Sequence, residues 1–272
     1  MAASAPVPVS HVRRLWLYVW CGLVALFLVL PVLVVIPMSF SDTVYLEFPP
    51  RRWSLRNYRT FFGSVEWRDA TWVSLRAAVL TTAAATVLGT AAAYGLAVTR
   101  WRWSRALQLL LVAPQMVPAI LVAIGLFYVY ARLELVNTML GLVLAHTLLA
   151  LPFVVVTVTA GLASFDMTQE MVARSLGASR VRAVLTVTLP QIRYSVISAA
   201  LFAFITSLDE VVVALFLSGG ENATLTRRMF SALRDQIDPT IAAISTLLIV
   251  ISVGLVGLVQ LLGRTRPAAR SG

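Results

Sequence analysis

Six long apolar runs alternate with shorter polar stretches along the chain, at about residues 15–38, 71–98, 106–130, 138–163, 192–217 and 239–262. A helix needs about 20 apolar residues to cross a bilayer, so each run is long enough for one span. The first run exceeds the ~7–15 residues of a signal-peptide core, which predicts a retained span. Its Trp16, Tyr18 and Trp20 suit a membrane interface. The second run is rich in small residues at its centre, among them Ala84, Gly89 and Ala92. Small faces let helices approach closely in lipid. The third holds Pro114 and Pro118 with Gln115 between them. Prolines free backbone carbonyls, which must then face protein or a wet cavity. A kinked pore-lining helix and a kinked packing helix both fit that pattern. The fourth run contains His146 and Pro152. Six spans put both termini on one side, giving tails at 1–14 and 264–272 around a membrane domain at 15–263.

One polar island, residues 166–190, interrupts the apolar pattern most clearly. Its pattern predicts two short amphipathic helices joined by a turn. Asp166 can cap the first, with Gln169 at capping-box spacing. Met167, Met171 and Ser175 then share one side, and Glu170 and Arg174 stand at i, i+4 as an ion pair. Gly177 can adopt positive φ and end that helix. The second helix runs over about 179–188, with Val181, Val184, Leu185 and Thr188 on its apolar side, and Pro190 stops it. Two helical turns around a glycine make a shaped surface for docking rather than a plain connection.

Composition fixes the solvent. The 272 residues are 59% hydrophobic and only 12% charged, against about 25% charged in a soluble domain. Mean hydropathy is +0.86. The net charge of +10 comes entirely from arginine, since the chain contains no lysine. The arginines are dispersed over ends and loops, which argues against nucleic-acid binding and suits anionic headgroups. Their distribution leans toward cytoplasmic termini. Cys21 is the only cysteine, so no intramolecular disulfide forms.

Catalytic chemistry is poorly provided for. A phosphate-binding Walker loop needs a lysine. Two histidines and one cysteine do not make a metal site. His146 reads best as a hydrogen-bonded side chain between helices. The unusual residues are Asp209 and Glu210, in the fifth run. A carboxylate at the bilayer centre costs roughly 2.5–3.5 kcal/mol. Counting at ~1.5 Å per residue places the pair roughly 26 Å along the span from Ile192. Either one of them meets a cationic solute on its pathway, with Gln115 a further lining residue, or the pair forms a salt bridge with Arg76 near the end of the second span.

The island's spacing resembles the loop of the permease subunits of binding-protein-dependent ABC importers. That family's pattern is Glu-Ala-Ala, three residues, Gly, nine residues, Ile, one residue, Leu-Pro. Here the triplet is Met171-Val172-Ala173, followed by Gly177, then Val187, Thr188, Leu189 and Pro190. Ala173, Gly177, Leu189 and Pro190 match, Val187 replaces Ile, and Met171 replaces Glu, with Glu170 one place earlier. The stretch 206–249 is similar to the second permease of polyamine-type importers, and the order of spans and loops agrees over about residues 10–265. The resemblance implies an all-α type I permease fold with six transmembrane helices in a bacterial inner membrane, both termini cytoplasmic. It implies a loop gripped by an ATPase through Glu170, Ala173, Arg174, Gly177, Val187, Leu189 and Pro190. It also implies a second permease, two ATPase subunits that bind ATP and magnesium, an external solute-binding protein, and alternating access. The cargo would be spermidine, putrescine or a related cation. Other small solutes fit the same frame, and an ion-coupled carrier using Asp209 or Glu210 is the reading from another class.

Overall fold

The computed structural model describes residues 15–99, 102–235 and 237–264. The tails expected at 1–14 and beyond Arg264, and Arg100 and Trp101 of the basic-aromatic turn, lie outside the described residues. The helices are, in order, α1 (Leu15–Ser39), α2 (Arg56–Gly63), α3 (Val65–Val98), α4 (Ser104–Val112), α5 (Ala119–Arg132) and α6 (Met139–Ala163). They continue with α7 (Thr168–Ser175), α8 (Arg180–Ala183), α9 (Leu189–Gln191), α10 (Arg193–Asp209), α11 (Val212–Leu217), α12 (Leu225–Asp235) and α13 (Thr240–Arg264). A 3-10 turn, Ala113–Met116, follows α4, and a π-helical turn, Val184–Thr188, joins α8 to α9. Among the described residues no strand longer than an isolated bridge occurs.

By length and composition α1, α3, α6 and α13 can each cross a membrane. Two bent pairs bring the number to as many as six: Ser104–Met116 with Ala119–Arg132, at 101°, and Arg180–Gln191 with Arg193–Asp209, at 81°. The third run is therefore no single kinked helix. Val117, which precedes Pro118, is extended at φ −89°, ψ 134°. Proline disfavours the helical region for the residue before it, and at Val117 the helix breaks. The fifth run is also interrupted. Its helix ends at Asp209, Glu210 is extended, and α11 starts at Val212. By contrast α6 runs unbroken through Pro152.

The chain divides into two units, one formed by residues through Gly63 with Ile237–Leu248, the other by Ser64–Gln236 with Ile249 onward. In the first unit, Asn57 is buried and its amide donates to the Ser39 and Ser41 carbonyls at 3.3 and 3.2 Å. The Ser39 hydroxyl bonds Tyr58 at 2.8 Å, and Phe40 stacks between Tyr58 and Trp53. These contacts satisfy the backbone where α1 leaves its helix.

In the second unit, α3, α6 and α10 form the core. Ala85, Ala150, Val154, Val158, Ala199 and Ala203 meet there, all fully buried. A methyl group at Gly89 would lie 2.6 Å from Val154 Cγ1, and one at Gly161 would overlap Ser195. The small residues thus bring backbones together, as lipid-embedded packing requires. A second cluster joins α5, α6 and α11 through Ala123, Tyr130, Ala145, Val213 and Leu217.

Candidate functional site

The island at 166–190 folds around its glycine. The Asp166 carboxylate accepts the Thr168 N–H at 2.9 Å, and hydrogen bonds from the Thr168 hydroxyl and amide hold this carboxyl below its ordinary range. Gln169 does not turn back to close a capping box. Its side-chain oxygen accepts instead from Gln191, at 3.1 Å across the loop. α7 ends in a Schellman closure: Ala178 N–H donates to the Ala173 carbonyl at 3.1 Å and Gly177 N–H to the Arg174 carbonyl at 3.0 Å. Gly177 has φ +94°, and nothing lies within 4 Å of where a Cβ would stand. Conformation, not space, selects glycine. Ser179 then caps α8, its hydroxyl accepting the Arg182 N–H at 3.3 Å.

Pro190 does not end the second helix. The helical path continues to Gln191. Proline has no N–H and clashes with the carbonyl four residues back. The wider turn at Val184–Thr188, closed by Leu189 N–H onto the Val184 carbonyl, accommodates that defect. The break comes at Ile192.

The loop has two faces. Outward stand Met171, Val172, Leu176, Val181 and Leu185, all exposed, with Leu176 at 84%. Arg174, Arg180 and Arg182 are exposed beside them, Ala173, Val187 and Leu189 are partly buried, and Pro190 is exposed. Inward stands Glu170, 4% exposed. The expected Glu170–Arg174 ion pair is absent among the described residues. The carboxylate accepts instead from the Tyr94 hydroxyl at 2.6 Å and the Thr188 hydroxyl at 2.7 Å. Thr188, assigned from the sequence to the second helix's apolar side, is the buried donor of that pair.

The acidic pair separates by environment. Glu210 Oε1 accepts the Val213 N–H at 2.8 Å, and the Glu210 carbonyl accepts the Thr226 hydroxyl at 2.8 Å. Glu210 thus caps the short α11. Asp209 ends α10 with its side chain exposed, and makes no hydrogen bond or ion pair among the described residues. Arg76 is not bridged to either acid within salt-bridge distance. Its guanidinium lies 4.8 Å over the Trp72 ring. Gln115 is exposed in the 3-10 turn between the two halves of the third run. His146 Nδ1 and Ser207 Oγ are 2.8 Å apart in the α6–α10 contact, where both residues are buried.

A cleft of about 460 Å³ opens at the start of α3, lined by Glu66, Asp69, Trp72, Arg76, Glu221 and Arg228 among others. Arg228 pairs with Glu66 and lies 5.4 Å over Trp67. Ser74 Oγ accepts the Leu225 N–H at 2.8 Å and fixes α12 to α3. Sequence reasoning missed this cleft, because its walls lie some 150 positions apart and no local pattern links them. It missed Tyr94 for the same reason.

The comparisons with known proteins follow the same lines. Residues 85–266 match the family of binding-protein-dependent transport system inner membrane components. A spermidine/putrescine transport system permease protein, PotC of Haemophilus influenzae, is 31% identical over 239 residues, covering 88% of this chain and 92% of that one. The putrescine transport system permease protein PotI of Escherichia coli is 31% identical over 255 residues, covering 91% and 90%. Among solved structures, a bacterial ABC transporter that imports the polysaccharide alginate superposes with TM-score 0.68 at 16% identity, over 96% of this chain and 99% of that one. The MetNI methionine ABC transporter in an inward-facing form gives 0.56 at 19% identity, over 71% and 91%. At such identities the superpositions speak for the type I permease fold. With the family model covering most of its length, the chain belongs to the inner-membrane permease subunits of binding-protein-dependent ABC transport systems.

Proposed function

We propose that the chain forms half of the translocation pathway of an ATP-driven importer for a polyamine or a related small organic cation. The observation that carries this reading is the loop at 166–190. It is a two-helix wedge whose turn is closed by its own backbone bonds, while five large apolar side chains stand exposed. Such a patch needs a protein partner to cover it. Its edge is arginine-rich, so the groove that receives it is apolar with an acidic border. That partner is an ATPase on the cytoplasmic side, and both termini lie on the same side. Two ATPase subunits bind ATP and magnesium, since this chain lacks the lysine a phosphate loop uses. A second, different permease completes the pore, and an external solute-binding protein delivers the cargo. The membrane domain spans residues 15–263.

The cargo class follows from two supports. Relatives 31% identical over most of their length are named for spermidine and putrescine. The chain also has an acid inside an apolar run whose charge nothing nearby neutralises. Asp209 is the residue that meets the cation, since Glu210 is engaged at α11. Gln115 lines the path at the other broken span. The cleft beside Trp72, with Asp69 and Glu221 in its wall, is the outward mouth. ATP-driven closure of the ATPase pair pulls the wedge, and the broken spans carry the change between inward and outward openings.

The test is reconstitution of the complete complex in liposomes with its binding protein. Labelled spermidine or putrescine should enter only with ATP and binding protein present. Uptake that persists without the ATPase and collapses with the proton gradient would overturn the importer reading. ATP-driven uptake of another solute, with polyamines ignored, would overturn the cargo alone.

A further inference from the structure

Three hydroxyl and carboxylate groups from three separate segments meet at the root of the loop. Glu170 comes from α7, Tyr94 from the last turn but one of α3, and Thr188 from the π-helical turn that leads into α10. The carboxylate takes one O–H from each side, at 2.6 and 2.7 Å, and is almost wholly buried. Distances this short are those of charge-assisted bonds. Glu170 is only 4% exposed and its bond to Thr188 is buried, so that bond once broken is poorly replaced by a solvent one.

We infer that Glu170 is the positioning residue that fastens the ATPase-coupling loop to the two helices it must move. This rests on the importer reading above and deepens it. The relation is mechanical. The exposed apolar face of the loop receives the pull. Glu170 passes it inward along two routes. Through Tyr94 it reaches α3, one unbroken helix of 34 residues, which at ~1.5 Å per residue carries displacement roughly 27–42 Å from Tyr94 to the cleft wall. At the far end of that rod are Glu66, Asp69, Trp72 and Arg76, the wall of the cleft. Through Thr188 it reaches α9 and then α10, which ends at Asp209. One buried carboxylate therefore ties the driving loop both to the mouth and to the acid in the path. It also explains why the acid stands one position before the place where the resembling pattern has it. At 170 it faces the chain's own interior. At 171 a methionine faces out.

The role separates from mere stability by the ratio of solute moved to ATP hydrolysed. In the reconstituted complex with solute-loaded binding protein, Glu170→Gln and Tyr94→Phe should lower uptake roughly tenfold, the scale of one buried bond to a charged group. ATP hydrolysis should stay near the unmutated rate, so the ratio falls. The double variant should be no worse than Glu170→Gln alone, because both break one connection. Thr188→Ser should keep normal coupling and Thr188→Val should lose it. An unchanged ratio in Glu170→Gln and Tyr94→Phe, or a fall in uptake that only tracks loss of ATPase subunits from the purified complex, overturns the inference. Absence of ATP-driven uptake in the unmutated complex overturns the importer reading and this one with it.

Discussion

The wedge at 166–190 and the break at 209–212 both interrupt helices beside the membrane-spanning core, yet they resolve the interruption in opposite ways. In the wedge, polar groups are spent internally: Glu170 on Tyr94 and Thr188, Asp166 on Thr168, the last carbonyls of α7 on Gly177 and Ala178. What remains outward is largely apolar. In the break, Glu210 satisfies the start of α11, while its neighbour Asp209 is left exposed without a partner. A lone charge next to a membrane is costly where nothing opposes it, and an exposed apolar patch is costly in water. Each region thus carries the kind of group its surroundings penalise. The lesson is that unsatisfied chemistry marks where something else must come, which the proposed function supplies as a cation in one case and a protein in the other.

Four substitutions break or sharpen that contrast. The largest effect is expected at Asp209. Asp209→Asn should cut polyamine uptake by roughly two orders of magnitude in cells, the worth of an unscreened charge contact of ~3 kcal/mol, with normal complex yield. Near-normal uptake would remove the acid from the path. Gly177→Val comes next. A β-branched residue at φ +94° costs ~1–3 kcal/mol of backbone strain, so co-purified ATPase should fall severalfold while the membrane domain still folds. Equal ATPase recovery would mean the turn is not what the partner reads. Glu210→Gln should be milder, lowering thermal stability of the complex by about 0.5–1 kcal/mol, since an amide still accepts the Val213 N–H. Uptake per folded complex should change far less than in Asp209→Asn, and the reverse order would exchange the roles of the two acids.

The smallest effect concerns pH. Asp166 titrates below its ordinary 3.8 because Thr168 donates to the charged form. A depressed folded value means its contribution is complete above the unfolded value and is lost as pH falls through the folded one. Protection of residues 166–178 against hydrogen exchange should therefore be flat from pH 8 to about 5 and weaken only below about 4, as the acid takes up its proton. Asp166→Ala should abolish that step. A step near neutrality would assign the control to another group.

Much of this could be read from residue order alone, and the parts that could not share a cause. Gly177 and the two short helices were legible because positive φ and short amphipathic periods are local demands. The ends of α1 and α6 were legible for the same kind of reason, being set by composition. The 101° bend was not. Both arms of the third run are apolar, so hydropathy is blind to the direction of the second arm, and the signal that existed was Pro118 acting on Val117. The break at Glu210 was hidden in the same way, although an acid within an apolar run three residues before Val213 could have been read as a cap. Glu170 was placed beside Arg174 by helical spacing, but its partners are Thr188, 18 residues on, and Tyr94, 76 residues away in α3. Only the tertiary arrangement brings a tyrosine there.

The glycine contacts at Gly89 and Gly161 limit how such a machine can work. At Gly89, where α3 meets α6, and at Gly161, where α6 meets α10, a side chain of one helix lies against the bare backbone of the next. A lateral slip of one turn would drive Val154 or Ser195 into a neighbouring backbone. These three helices must therefore travel as a single block, and the compliance needed to alternate between two openings is left to the elbows at Val117–Pro118 and Glu210–Val211.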